Sequence, residues 1–243
     1  MPGGPRFLRV ASAVAALVAV AVLLPVLVPV SPGPGQLLLL LFFFLLLPAL
    51  VVLCLEDPGR GTGFRPLRLV LLILVVAASL VTTAWRGGFA ARELAPWALG
   101  PVLLSLAGRF GVELAGRRSM RVPVALGLPT LAFMAPFLAD RFLASLSDPG
   151  LLNSTSSFLL ALSPWPGAAW DLLQVDLFKN EALYREHLIA EQLYVQPGPG
   201  RYLLWQGALA ASCLLGGLLV RVLGGLFRRL LPRSPGYASI RQP

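Results

Sequence analysis

The chain has 243 residues, of which 57% are apolar and only 13% are charged, and its formal net charge is +9. A typical soluble domain has about 25% charged residues, so this composition argues against a soluble fold. The basic residues lie in short clusters beside apolar runs, which argues against a nucleic-acid binder. We therefore expect an all-α, polytopic integral membrane protein with a single transmembrane domain, residues 1–243.

Six apolar segments are each predicted to be a transmembrane helix. An apolar helix of about 20 residues crosses about 30 Å of hydrocarbon at about 1.5 Å per residue. The predicted spans cover residues 10–30, 37–55, 69–85, 94–114, 122–139 and 202–220. The first span follows a short basic N-terminus, as a signal sequence would. Its apolar run is longer than the roughly 7–15 residues of an ordinary signal core, so we favour a retained helix and keep cleavage as the alternative.

The fourth and fifth predicted spans contain residues that are unusual within a membrane. Arg109 and Glu113 lie four residues apart on one helical face, where opposite charges can pair. Because Arg117, Arg118 and Arg121 follow, we expect this pair to be structural and to lie at the membrane interface. The fifth span contains three prolines, which predict a kinked membrane helix.

The last span contains small residues at a regular spacing. Ala208, Ser212 and Gly216 recur every four residues, and this pattern allows two membrane helices to approach closely. The two cysteines, Cys54 and Cys213, lie within apolar runs. Metal sites need several clustered ligands, so we expect two buried thiols.

The arginine positions predict the orientation, with both termini inside. The segments between spans then place 14 basic residues inside and 6 outside, as the positive-inside rule requires. The tryptophans are predicted to form an aromatic belt at the outer ends of the spans. They are Trp85, Trp97, Trp165, Trp170 and Trp205.

A long outer segment, residues 140–201, separates the fifth and sixth spans. Its apolar part, SSFLLALSPWPG, is too short to cross the membrane, and Pro164 and Pro166 predict a break there. A helix is predicted from Ala168 to Tyr194, with one apolar face on the membrane. The residues of that face are Trp170, Leu173, Leu177, Tyr184 and Leu188.

Acidic residues recur every five positions in this outer segment. They are Asp171, Asp176, Glu181, Glu186 and Glu191. A five-residue step turns a helix by about 140°, so these side chains do not converge. Only His187 and Glu191 share a face, and two ligands make an incomplete metal site. We expect a solvated acidic surface, with no catalytic, cofactor-binding or metal site and no enzymatic activity.

The layout resembles the permease subunit of type-2 ATP-binding-cassette exporters. The stretch from Ala161 to Leu173, ALSPWPGAAWDLL, is similar to the Ser/Asn-Pro stretch before their last helix, and the loop from Glu56 to Thr62, EDPGRGT, resembles the acidic-Gly-Thr stretch after their second span. The resemblance implies six spans, short helices that dip into the outer leaflet, and a place in the cell inner membrane. It also implies a separate ATPase subunit and a homo- or heterodimer as partners besides the lipid bilayer.

A second function fits the same topology. The chain could be a non-transport integral membrane scaffold or assembly subunit whose outer segment is a docking cap. A membrane enzyme is less favoured because no convergent catalytic set is present in the sequence. No transported substrate is predicted.

Overall fold

The computed structural model describes residues 31–55, 65–138, 140–146, 148–179 and 196–230, and every regular element in these ranges is helical. The first predicted span, residues 10–30, lies outside the described residues. Two short 3-10 helices, Arg118–Met120 and Leu177–Lys179, accompany the α-helices. The α-helices are α1 (Pro34–Leu55), α2 (Arg65–Gly87), α3 (Ala91–Leu114), α4 (Arg121–Leu138), α5 (Asp140–Leu143), α6 (Pro149–Leu162), α7 (Pro164–Leu173) and α8 (Pro199–Leu230).

Four of the described helices are long and apolar enough to cross a membrane. They are α1, the Leu69–Gly87 part of α2, α4, and the Pro199–Leu226 part of α8. These helices correspond to the second, third, fifth and sixth predicted spans. Their length and composition indicate a membrane protein, and the all-helical class is confirmed within the described residues.

Helix α3, which contains the fourth predicted span, is the central helix but is not among those four. Pro96, Pro101 and several glycines and charged residues lower its mean hydropathy. Helices α1, α2, α4, α7 and α8 all pack against it. Protein rather than lipid therefore covers much of α3, so small and polar residues are tolerated there.

The first helices are antiparallel neighbours. Gln36, in the first turn of α1, donates from Nε2 to the carbonyl of Gly87 at the end of α2, with a distance of 2.7 Å. Gly88 then adopts a φ of +73°, which glycine accepts without strain, and α3 begins after a short turn. The C-terminal ends of α1 and α3 consequently lie at the opposite end of the bundle from Gln36 and Gly87.

We name the two ends of the bundle by their residues. The cap end is defined by Trp97, Ser163, Asp171 and Tyr202, and the arginine end by Glu113, Arg121 and Arg221. At the cap end a buried core joins α1, α3 and α8 to α7. Its aromatic members are Phe43, Phe44, Trp97, Phe133 and Tyr202. Lipid chains are as apolar as these side chains, so close packing rather than the hydrophobic effect stabilises such a core within a bilayer.

The outer segment forms a broken helix pair, as its prolines predict. Helix α6 ends at Leu162, Ser163 has an extended backbone, and α7 begins at Pro164. The prediction of one helix from Ala168 to Tyr194 is wrong, because α7 ends at Leu173.

Gln174 explains why α7 ends there. Its φ is 56°, in the left-handed region, and its N–H bonds to the carbonyl of Trp170 at 3.0 Å, while the N–H of Val175 bonds to the carbonyl of Ala169 at 3.2 Å. The left-handed Gln174 and its bond to Trp170 form an αL motif, which terminates a helix.

The predicted apolar face of this segment is also wrong in its first part. Trp170 is 41% exposed, whereas Leu177 is 4% exposed and lies in a separate 3-10 helix. The two side chains therefore do not share one face of one helix. Tyr184 and Leu188 lie outside the described residues.

Candidate functional site

The candidate site lies at the cap end and is built around Trp97. The Trp97 side chain is fully buried, and its Nε1 donates a hydrogen bond to Oδ2 of Asp171 on α7, with a distance of 3.2 Å. A buried indole N–H needs an acceptor, and the exposed carboxylate of Asp171 supplies it. The prediction that Trp97 belongs to an interfacial aromatic belt is therefore wrong. The bond joins α3 to α7 instead.

Tyr202, in the first turn of α8, is the second member of the site. Its ring centroid lies 4.8 Å from that of Trp97, and its hydroxyl donates to the backbone carbonyl of Trp97 at 3.2 Å. That carbonyl has no helical donor, because the residue four positions later is Pro101, which has no N–H. Tyr202 thus satisfies a carbonyl that proline leaves open.

Gln206 repeats this arrangement one turn further along α8. Gln206 is 1% exposed, and its Nε2 donates to the carbonyl of Leu162, the last residue of α6, at 2.7 Å. Because α6 ends at Leu162 and Ser163 has an extended backbone, the Leu162 carbonyl has no helical donor. Two side chains at i and i+4 on α8 therefore bond two carbonyls that lack helical donors. The carbonyl in α3 lacks one because of Pro101, and the carbonyl in α6 lacks one because the helix ends there.

Two glycines make room for the aromatic rings of the site. A Cβ at Gly100 would collide with the hydroxyl end of Tyr202, and a Cβ at Gly167 would collide with the six-membered ring of Trp97. Each ring therefore lies directly on the backbone of a neighbouring helix. This close approach brings α3, α7 and α8 together at the cap end.

Ser163 and an aromatic stack attach the broken helix pair to α4. The hydroxyl of Ser163 donates to the carbonyl of Phe133 at 3.0 Å. Trp165 stacks on Phe133, with centroids 5.9 Å apart and ring planes 15° apart. Phe137 then contacts both Trp165 and Phe178, at 5.9 and 5.2 Å between centroids. The pair is part of the bundle and not a loop on its surface.

The predicted acidic surface is only partly described. Asp171 accepts the Trp97 bond, and Asp176 Oδ1 accepts from the backbone N–H of Phe178 at 3.2 Å. Glu181, Glu186, His187 and Glu191 lie outside the described residues. Within the described ranges, no group of three or more His, Cys, Asp or Glu side chains could hold a metal ion.

Helices α3 and α8 also touch at a glycine pair nearer the arginine end. A Cβ at Gly217 would collide with the backbone of Gly111, and a Cβ at Gly111 would lie 2.6 Å from the carbonyl oxygen of Cys213. The predicted small-residue ladder is exposed and is not the face of α8 that meets α3. That ladder comprises Ala208, Ser212 and Gly216. The contact uses the adjacent face of the same helix.

The cysteine prediction is confirmed in part. Both cysteines are free thiols; Cys54 is buried, and Cys213 is half-buried beside the glycine pair.

At the arginine end, the structure shows an ion pair between Glu113 and Arg121. Glu113 Oε1 lies 2.9 Å from Arg121 Nη2, and the side chains are 38% and 21% exposed. The predicted partner was Arg109, four residues away on α3. The pair with Arg121 joins α3 to the start of α4 across the turn between them.

The spacing of four residues in the sequence was a signal for the cap-end site, and hydropathy alone does not reveal it. Trp97 stands four residues before a proline, and Tyr202 and Gln206 stand four residues apart as donors. No protein-family model, curated protein or solved structure gives a significant match to this chain. The contacts at the cap end therefore carry the functional argument.

Proposed function

We propose that the chain is the membrane-spanning permease subunit of an ATP-binding-cassette exporter in the cell inner membrane. The observation that carries this proposal is the broken helix pair α6–α7, which is built into the bundle immediately before the last long helix. Short helices at that place are what the resemblance to type-2 permeases implies. The bonds from Gln206 to Leu162 and from Ser163 to Phe133 support it, because they make the pair an integral part of the membrane domain.

The proposed topology has six spans with both termini inside. The alternation of α1 to α4 collects the arginines around the end of α3, the start of α4 and the late part of α8, in line with the positive-inside rule. Three exposed tryptophans at the cap end, Trp85, Trp170 and Trp205, fit an aromatic belt on the opposite side. The first span, residues 10–30, rests on its apolar sequence alone.

The orientation can be tested with single cysteines at two exposed serines. In a background with Cys54→Ala and Cys213→Ala, Ser119→Cys should react with an impermeant maleimide only from the cytoplasmic side. Ser145→Cys, beyond the end of α4, should react only from the outside. Both serines are exposed, so labelling reports sidedness and not burial. Labelling of the two positions from the same side would contradict the alternation of the helices.

The proposed partners are a separate ATPase subunit and a second copy of this chain or a related subunit. The test is purification of the tagged full chain from its own membranes in mild detergent. We expect an ATPase to co-elute and to hydrolyse ATP in a vanadate-sensitive way. For comparison, a Gly167→Val variant, whose side chain displaces the Trp97 ring, should still insert into the membrane. We expect its complex to show less ATPase activity than the wild type. Elution of the intact wild-type chain without ATPase activity would contradict the proposal.

The structure also gives one reason to keep the scaffold alternative. The fully buried Trp97 and Tyr202 side chains fill the centre of the cap end, and the exposed Trp85 and Trp170 side chains lie around it. Such a closed, aromatic end suits docking of an extracytoplasmic protein. Under this alternative the topology is unchanged, but the purified chain carries no ATPase.

A further inference from the structure

A cleft lies at the arginine end between the end of α3 and the late part of α8. Residues Glu113 to Gly116 line one side, and Val220, Arg221, Gly224 and Gly225 line the other, around a volume of about 600 Å³. No heavy atom lies within 4 Å of the place where a Cβ on Gly224 or Gly225 would stand. The backbone of α8 therefore forms an open wall. The volume falls in the range of about 300–1,000 Å³ that is usual for small-ligand sites.

The charges around this cleft favour an anion. Arg121 already neutralises Glu113 through the 2.9 Å ion pair. Arg221 is exposed and makes no hydrogen bond or ion pair within the described part of the chain. Arg117, also exposed, follows Gly116 directly. The cleft thus has an excess of positive charge and an arginine with its donors available.

An apolar groove adjoins the cleft on the surface of α8. Leu218, Val222 and Leu226 line it together with Arg221 and Gly225, and the last two residues also line the cleft. The three apolar side chains follow one another at i, i+4 and i+8 and are each about half exposed. A positively charged cleft that continues into an apolar groove matches the two halves of an anionic amphiphile.

The depth of Arg221 agrees with such a ligand. Arg201 and Arg221 are separated by 20 positions on one continuous helix, which corresponds to about 30 Å along the axis. This distance equals the hydrocarbon thickness of a typical bilayer, about 30 Å. With Arg201 at one surface, the guanidinium of Arg221 reaches the headgroup region of the other leaflet.

We propose that this cleft binds the headgroup of an acidic phospholipid. The guanidinium of Arg221 donates to the lipid phosphate, which arginine can hold through two parallel hydrogen bonds, and the first part of an acyl chain follows the groove along Leu218, Val222 and Leu226. A lipid with a net negative charge, such as phosphatidylglycerol, fits the excess charge better than zwitterionic phosphatidylcholine. This assignment does not depend on the proposed transport function.

Native mass spectrometry of the full chain in detergent tests the proposal, with phosphatidylglycerol and phosphatidylcholine as probes. The wild-type chain should retain phosphatidylglycerol in preference to phosphatidylcholine. Arg221→Gln should weaken that retention roughly tenfold, because a charge-assisted hydrogen bond is lost. Arg201→Gln, an exposed arginine at the opposite end of the same helix, is the matched control and should change retention less than about twofold.

A steric pair of variants tests the cleft independently of its charge. Gly225→Phe should fill both the cleft and the groove and reduce phosphatidylglycerol binding, whereas Gly216→Phe, at another open position of α8, should not. Equal losses in Arg221→Gln and Arg201→Gln would overturn the proposal, as would equal retention of the two lipids by the wild type. Displacement of the lipid by millimolar inorganic phosphate would indicate a site for a water-soluble anion and would also overturn it.

Discussion

The cap end and the arginine end use the same two helices, α3 and α8, in different ways. At the cap end Tyr202 and Gln206 of α8 bond the carbonyls of Trp97 and Leu162 at 3.2 and 2.7 Å, and the rings leave no room between the helices. At the arginine end α3 and α8 border a cleft, and Glu113 pairs with α4 and not with α8. At the cap end, hydrogen bonds and packed rings leave no space between α3 and α8, whereas at the arginine end the two helices stay apart around charged side chains.

The two ends differ in the free energy that each would lose if its contacts were broken. A buried carbonyl without a donor costs about 1–3 kcal/mol, so the two carbonyls left open by Pro101 and by the end of α6 require partners from α8. A partly exposed ion pair contributes only about 0–1 kcal/mol to the free energy of unfolding. An arginine at the membrane surface also has the lipid headgroups as partners. The cap end should therefore dominate the stability of the bundle.

The largest expected effect comes from Trp97→Ala. The change removes a fully buried ring and its bond to Asp171, and it should lower the free energy of unfolding by about 3–5 kcal/mol. Trp85→Ala is the matched control, because Trp85 lies at the same end but is 75% exposed; it should cost less than about 0.5 kcal/mol. Reversible unfolding in mixed micelles with increasing dodecyl sulfate measures both. Equal losses would mean that the cap end is not a packed core.

The next effect comes from the glycine pair. Gly217→Ala places a methyl group against the backbone of Gly111 and should cost about 1–3 kcal/mol through overpacking. Gly216→Ala, one position earlier, meets no atom within 4 Å and should be neutral or slightly stabilising, since alanine favours a helix. The same unfolding assay compares the two. A larger loss at position 216 would show that α8 packs through the face predicted from its small-residue ladder.

A smaller effect is expected from Tyr202→Phe, which removes only the hydroxyl. The carbonyl of Trp97 then has no donor, and we expect a loss of about 1 kcal/mol. In a Pro101→Ala background the restored backbone N–H can bond this carbonyl, so the same substitution should cost measurably less. A double-mutant cycle gives the coupling between the two positions. Absence of coupling would show that Tyr202 contributes through its ring alone.

The smallest effect is expected at the arginine end. In a double-mutant cycle of Glu113→Gln and Arg121→Gln on the free energy of unfolding, the coupling energy between the two side chains should be at most about 1 kcal/mol. The reason is that both side chains are partly exposed. The coupling energy should also decline as salt is raised from 0.05 to about 0.5 M, owing to screening. A coupling of several kcal/mol that is insensitive to salt would place this pair in a buried environment, and the contrast between the two ends would fail.

Among the described residues, the sequence was sufficient for the long helices but not for their contacts. The apolar runs predicted the positions of α1, α2, α4 and α8, because length and hydropathy are local properties. Helix α3 was predicted as a span of the same kind, although its role as the central helix depends on neighbours that are distant in the chain. The bonds to Asp171 and Tyr202 join residues 74 and 105 positions away from Trp97, and helical periodicity contains no information about such pairs.

Two features that the sequence did not predict have specific physical causes. Gln174 has a left-handed backbone conformation although it is neither glycine nor asparagine, the usual residues at such a position. The residue type at the end of α7 therefore did not indicate that the helix ends there. On α8, Gly216 and Gly217 are adjacent and belong to small-residue faces about 100° apart. The spacing of Ala208, Ser212 and Gly216 could not decide which face meets α3, and the choice depends on the clash-free approach to Gly111.

The glycine contact between α3 and α8 gives the last helix the mechanics of a lever. Gly217 touches Gly111 through the backbone, and it lies 15 residues after Tyr202 and 13 residues before Leu230. The two arms are therefore about 22 Å and about 20 Å long. While α8 stays straight, an outward displacement of Tyr202 from α3 turns into an inward displacement of nearly equal size at Leu230. A pivot at this contact would transmit a movement across the thickness of the membrane with its direction reversed and its size nearly unchanged.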